Sequence, residues 1–147
     1  MTNGRRMMAH QVDEMTWLLD AFVQRVGHQA RAILATRDGL TQCYSGLERD
    51  AAHSLGALVS GVNSLGNGAA DILAMPSGRV RQTVIEHDGF LLFVTSAGEG
   101  TLLAVATTPE ARAGVVGHEM GQLVRSVGEH LNSSDRNADT TTDRGGR

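Results

Sequence analysis

The sequence predicts an α/β protein of the α+β type: a five-stranded antiparallel sheet, strand order 2-1-5-4-3, with one helix on one face and two on the other. Three observations predict it. Ala30–Ser45, ARAILATRDGLTQCYS, reads as strand, turn and strand, the first apolar on both faces and the second mixed in polarity. Residues 79–107 break at His87-Asp88-Gly89 and at Gly98-Glu99-Gly100 into a three-strand meander. Three stretches of helically spaced apolar residues lie before, between and after these strands. Polar strands belong at the rims of a sheet. Placing the second and third strands outside makes the first and fifth meet in the middle.

The elements follow in order. Val12–Val26 is the first helix, with Met15, Leu18, Leu19, Phe22 and Val26 on one stripe and Gly27 as its stop. Trp17 falls beside this stripe, half-buried where helix meets sheet. Asp38-Gly39 forms a two-residue hairpin turn, because both residues tolerate positive φ. Glu48–Leu65 is the second helix, burying Ala51, Leu55, Leu58, Val62 and Leu65 and ending at Gly66-Asn67-Gly68. Another of its stripes, Ser54, Ala57, Gly61 and Ser64, contains only small residues. Glycine inside a helix costs about 1 kcal/mol relative to alanine, and this helix carries Gly56 and Gly61. Small side chains admit a second backbone at close range. The stripe is therefore read as a contact with another protein, such as the same helix of a twin subunit; the plainer alternative is a slightly weak surface helix.

Arg79–Glu86, RVRQTVIE, is the third strand, polar enough for a rim. Phe90–Ala97 and Thr101–Thr107 are apolar on both faces and lie centrally. The third helix begins near Pro109 and buries Val116, Met120, Leu123, Val127 and Leu131, with Val124 beside them. Residues 1–11 are expected to be flexible, 12–131 to form the domain and 132–147 to be a disordered polar tail.

Composition narrows the function. Only 3% of the 147 residues are aromatic, so Leu, Val, Ala, Ile and Met must fill the core. That leaves little for a base-stacking platform, and a formal charge of −3 offers no basic footprint for nucleic acid. Every formally cationic residue other than histidine is arginine, which excludes a Walker-type phosphate loop and a Schiff-base lysine. Cys43 has no partner for an internal disulfide. No apolar run reaches the length of a bilayer and the N-terminus lacks a hydrophobic signal core, so the cytoplasm is the expected compartment, without membrane insertion.

No catalytic, cofactor or metal constellation emerges. His118-Glu119-Met120-Gly121-Gln122 misses the zinc-protease pattern, because glutamine stands where the second histidine must be. No serine sits in a G-x-S-x-G elbow, and Gly66-x-Gly68 follows a helix where a dinucleotide fingerprint needs a strand. Arg79 and Arg81 share a face of the third strand, where they serve as edge-protecting charges or as an arginine finger. That strand contains no proline, so a second copy has an open edge for antiparallel pairing.

The order of helix, hairpin with T-R-D-G-L, small-residue helix, meander and helix resembles the Roadblock/dynein-light-chain family over about Val12–Leu131. Ala32–Leu40, Ala51–Leu65, Phe90–Ala97 and Leu102–Ala106 carry the likeness. The phrase V-D-E-M-T-W-L-L-D-A-F and the polar tail look like the bacterial conservon-type members. The resemblance implies a profilin-like fold and a homodimer with joined third strands and adjacent second helices. It further implies a non-enzymatic regulator of a Ras-like small GTPase, sometimes GTPase-activating, alongside a sensor-kinase-like protein. It puts the contact surface on Ser54, Ala57, Ser60, Gly61 and Ser64, with Arg79, Arg81 and Thr83 at the paired edge. The alternative from a different class is a small-molecule sensor using a sheet–helix pocket.

Overall fold

The computed structural model describes residues 7–75, 77–98 and 100–143, with side chains as far as residue 132. Its elements are α1 (Ala9–Val26), β1 (Arg31–Thr36), β2 (Thr41–Ser45), α2 (Arg49–Ile72), β3 (Gln82–His87), β4 (Phe90–Ser96), β5 (Thr101–Thr107) and α3 (Ala113–Asp143). The strands form one antiparallel sheet in the order β2-β1-β5-β4-β3, as the polarity argument required.

Alternation along the strands divides the sheet between two cores. On one face Leu34, Cys43, Phe93 and Val105 pack with Met15, Leu19 and Phe22 of α1 and with Val116, Met120, Leu123 and Val127 of α3. On the other face Ile33, Ala35, Leu92 and Leu102 pack with Ala52 and Val59 of α2. The middle strands β1, β5 and β4 are apolar on both sides because a helical layer lies over each. An exposed ion pair, Arg25 Nε to Glu119 Oε2 at 2.8 Å, ties α1 to α3.

Several boundaries differ from the sequence expectation. Helix α1 starts at Ala9, where Val12 was expected. Gln11 is buried, and its Oε1 accepts the Met8 N–H at 2.8 Å, while the Met7 N–H donates to Gln42 Oε1 at 3.1 Å. Of the segment expected to be flexible, Met7 is thus tied to β2 and residues 9–11 belong to α1; residues 1–6 lie outside the described residues. The hairpin turn is one residue longer than a two-residue turn. The Gly39 N–H donates to Thr36 O, the Thr36 N–H to Leu40 O, and of Asp38 and Gly39 only the glycine has positive φ, at 94°. This is a type I turn closed by a left-handed glycine.

Helix α2 runs through Gly66 and Gly68 to Ile72. Neither glycine has positive φ; the left-handed residue that ends the helix is Ala74, at φ 56°. Its neighbour Met75 donates an N–H to Ala70 O at 2.9 Å, closing a Schellman-type cap. At α3, Pro109 sits in a turn anchored by the Thr108 N–H on His28 O, and the helix starts only at Ala113. The backbone then stays helical to Asp143, through much of the expected tail; residues 144–147 lie outside the described residues. Extending an existing helix fixes one residue per added hydrogen bond, so a poorly apolar sequence prolongs a helix that it would not nucleate.

Trp17 is 68% exposed, not half-buried. It lies two residues from both Met15 and Leu19, which places it about 200° around the helix from the buried stripe.

Candidate functional site

Helix α2 has two opposite faces that want burial. The inner one is not the expected Ala51–Leu55–Leu58–Val62–Leu65 stripe. Ala52, Gly56 and Val59 are buried, with Leu55 and Val62 packed partly against the same core. The reason is the close approach of the β1–β2 turn, which only a side-chain-free position accommodates. A Cβ on Gly56 would lie 2.1 Å from Thr41 Oγ1 and 3.2 Å from Gly39 O. Thr41 Oγ1 donates to Ala52 O at 2.8 Å, and Ser60 Oγ donates to Arg37 O, so α2 and the turn are stitched at two points.

That choice rotates Leu58 and Leu65 outward. They are 59% and 76% exposed, and Ile72 is 86% exposed. Together with Gly61 and Gly68 they make a seam, Leu58-Gly61-Leu65-Gly68-Ile72, with the alternating three- and four-residue spacing of a helix packed on another helix. A Cβ on Gly61 or Gly68 would meet nothing within 4 Å. Ser54, Ala57 and Ser64 are exposed beside the seam. Of the residues singled out on α2, Ser54, Gly61 and Ser64 therefore face outward. Ala57 and half-buried Ser60 lie along the border with the turn: the Ala57 Cα comes within 3.3 Å of where a Gly39 Cβ would be.

The second candidate feature is the open edge of the sheet. β3 pairs with β4 alone, in unbroken register from Gln82↔Thr95 to His87↔Phe90, without a bulge. Val84 and Ile85 are 44% and 37% exposed, and Glu86 is the only formally charged residue of the strand at neutral pH. Sheet edges are commonly guarded by charge, proline or bulges; this strand has little of any. Arg79 and Arg81 do not lie on it. β3 begins at Gln82, so both arginines occupy the exposed connection before it, which Thr95 Oγ1 fastens by donating to Arg81 O at 2.8 Å. Only Thr83 of the three expected edge residues is in the strand, half-buried. Sequence reading overextended the strand because the alternating arginines of R-V-R mimic period two.

The remaining chemistry is sparse. His118 and Gln122 lie on the surface with their Nε2 atoms 3.2 Å apart, while Glu119 turns to Arg25, so the H-E-x-x-Q string does not converge on a point. Among the described residues no three His, Cys, Asp or Glu side chains cluster as a metal site would need. A cleft of about 130 Å³ between α3 and the β3–β4 pair is lined by Gln82, Thr95, Met120 and Val124 among others. It is well under the roughly 300 Å³ at which small-molecule pockets begin. A groove of about 310 Å³ beside Arg79 and Arg81 is shallow and open. Neither favours a sensor.

Burial pushes the Cys43 thiol up from 9.0 to about 12. The folded state therefore holds the proton more tightly than the unfolded one. Stability from this group is fully present below pH 9.0 and is lost as pH rises towards about 12. The native protein at pH 8 is expected to resist iodoacetamide for hours while the urea-unfolded chain alkylates in minutes; mass spectrometry reads both rates.

No helix among the described residues is long and apolar enough to cross a membrane. The sequence profile of the Roadblock/LC7 domain matches residues 15–107. Among solved structures, a Roadblock/LC7 domain from Streptomyces avermitilis is 47% identical, with a TM-score of 0.73, over 79% of this chain and 96% of that one. MglB of Myxococcus xanthus superposes with a TM-score of 0.76 at 15% identity, over 88% of this chain and 96% of that one. An MglB described as having a tetrameric arrangement gives 0.74 at 18% identity, over 86% and 94%. No curated protein matches the sequence.

Proposed function

The chain belongs to the Roadblock/LC7 family, and from that premise we propose that it is a non-enzymatic homodimeric adaptor for a Ras-like small GTPase. One observation carries the reading: the outward seam of α2, a second apolar face on a helix whose first face is already buried. A lone subunit gains nothing by exposing Leu58, Leu65 and Ile72 around two glycines that contact nothing. Two such helices laid side by side bury the leucines, and the glycines let the backbones close up. The edge of β3 lies ready to pair with its twin, so the sheet would continue across a two-fold axis.

In this reading the dimer is the working unit, in the cytoplasm of a bacterium, and a sensor-kinase-like protein is a further partner. Ser54, Gly61 and Ser64 would lie along the shared helical surface, with Ala57 and Ser60 at its border with the β1–β2 turn and Thr83 at the paired edge. Arg79 and Arg81 would flank that edge in the connection ahead of β3. Regulation would work by docking on the GTPase and reshaping it. The test is calorimetric titration against Ras-like small GTPases of the same organism, each loaded in turn with GDP and with a non-hydrolysable GTP analogue. Saturable binding in at least one state is the expected result; no heat in either would overturn the adaptor.

A further inference from the structure

We propose that the outer face of α1, centred on Trp17, is a separate docking surface for an arginine-bearing segment of a partner protein. The inner face of α1 is fully used: Met15, Leu19 and Phe22 are wholly buried against the sheet. The indole of Trp17, opposite them, is 68% exposed. In a chain with one Trp, one Tyr and three Phe, the largest apolar side chain is spent on solvent. A single exposed leucine needs no explanation, but an indole gives up more apolar area than any other side chain and is enriched where interfaces concentrate their energy.

The chemistry around the ring selects its occupant. Asp13 and Glu14 lie one turn before Trp17 and Asp20 one turn after, at the i−4, i−3 and i+3 positions that border a residue on a helix surface. All three are exposed, and Asp20 is held in place by Ser45, whose Oγ donates to its Oδ1 at 2.5 Å. The indole offers a π-face that attracts cations, and the carboxylates supply planar acceptors. Guanidinium meets both demands at once, stacking flat on the ring while its N–H fork reaches a carboxylate; a lysine ammonium does neither as well. The molecule contains a miniature of the first contact, in Arg25, whose guanidinium carbon lies 5.9 Å from the Phe22 ring centre. The α2 seam and the β3 edge play no part in this surface, so it remains available in a dimer formed through them.

Trp17 is the sole tryptophan, so its emission reports the site directly. The probe is a fluorescein-labelled peptide of four arginines alternating with glycine, with the lysine and glutamate counterparts as controls. The arginine peptide is expected to change the tryptophan emission saturably in 50 mM salt, and the glutamate peptide is not. By fluorescence anisotropy, Trp17→Ala should weaken arginine-peptide binding about fivefold or more, and Trp17→Phe by less. Asp13→Asn and Asp20→Asn should each weaken it as well, and the lysine peptide should bind more weakly than the arginine one. Circular dichroism checks that each variant keeps its fold, which the exposure of these side chains favours. Equal affinity of the wild type and Trp17→Ala would overturn the proposal, because binding would then reflect bulk charge; so would a lysine peptide that binds as tightly as the arginine one. The GTPase appears in none of these measurements, so the outcome is independent of the adaptor reading.

Discussion

In the proposed homodimer, replacing Gly61 with arginine should give monomers without weakening the subunit. In the folded chain a Cβ at Gly61 meets nothing within 4 Å, so the larger side chain has room in one protomer. A helix interior gains up to about 1 kcal/mol when glycine gives way to a good helix former. Two α2 seams in contact are another matter. There the guanidinium would be forced between backbones that only hydrogen atoms had separated, and a charge stranded in an interface costs about 2–5 kcal/mol. The dimer dissociation constant should rise about 30-fold to several thousand-fold. Light scattering coupled to gel filtration reads the mass, and thermal unfolding reads the subunit. Dimers that persist in Gly61→Arg would remove the seam from the interface and leave the β3 edge to carry it alone.

The architecture was legible because its signals were local and repeated. The three glycine-bearing turns divide the strands, and polarity sorts them, so the order β2-β1-β5-β4-β3 followed from residue types alone. The α3 stripe Val116-Met120-Leu123-Val127 was equally plain, having one apolar face and one polar. Helix α2 was harder for a physical reason. It has two apolar faces, and periodicity reports that a face exists without reporting which one meets the sheet. The leucines look like the better core, yet the sheet takes the side bearing Gly56, since the β1–β2 turn must come within contact of the backbone. Trp17 misled in a similar way, for an aromatic beside an apolar stripe is normally drawn into the core. Its position about 200° from Met15 was countable in advance. Gly66 and Gly68 read as a stop because glycine often ends helices, but Gly66 instead makes room for Val80, whose Cγ2 lies 2.6 Å from where its Cβ would be.

Gly56 therefore supplies the sharpest contrast with Gly61: same helix, same residue type, opposite expected outcome. Gly56→Ala should destabilise the subunit by about 1–3 kcal/mol, even though alanine is the better helix former. The added methyl would sit 2.1 Å from Thr41 Oγ1, a distance no packing tolerates. Thr41 has little freedom to yield. Its hydroxyl is engaged with Ala52 O at 2.8 Å, and swinging it aside leaves that interaction unmade, a loss of about 1 kcal/mol. The backbone is no softer, since Gly39 O lies 3.2 Å from the same methyl position. Urea denaturation followed by circular dichroism should show the midpoint falling with the slope unchanged. A second substitution tests the cause: Thr41→Ala in the Gly56→Ala background removes the oxygen in conflict. The pair should be less destabilised than the sum of the two single changes, with a coupling of about 1 kcal/mol or more. Strict additivity would mean that Thr41 is not what excludes a side chain at position 56, and the rotation of α2 that exposes Leu58 and Leu65 would need another cause.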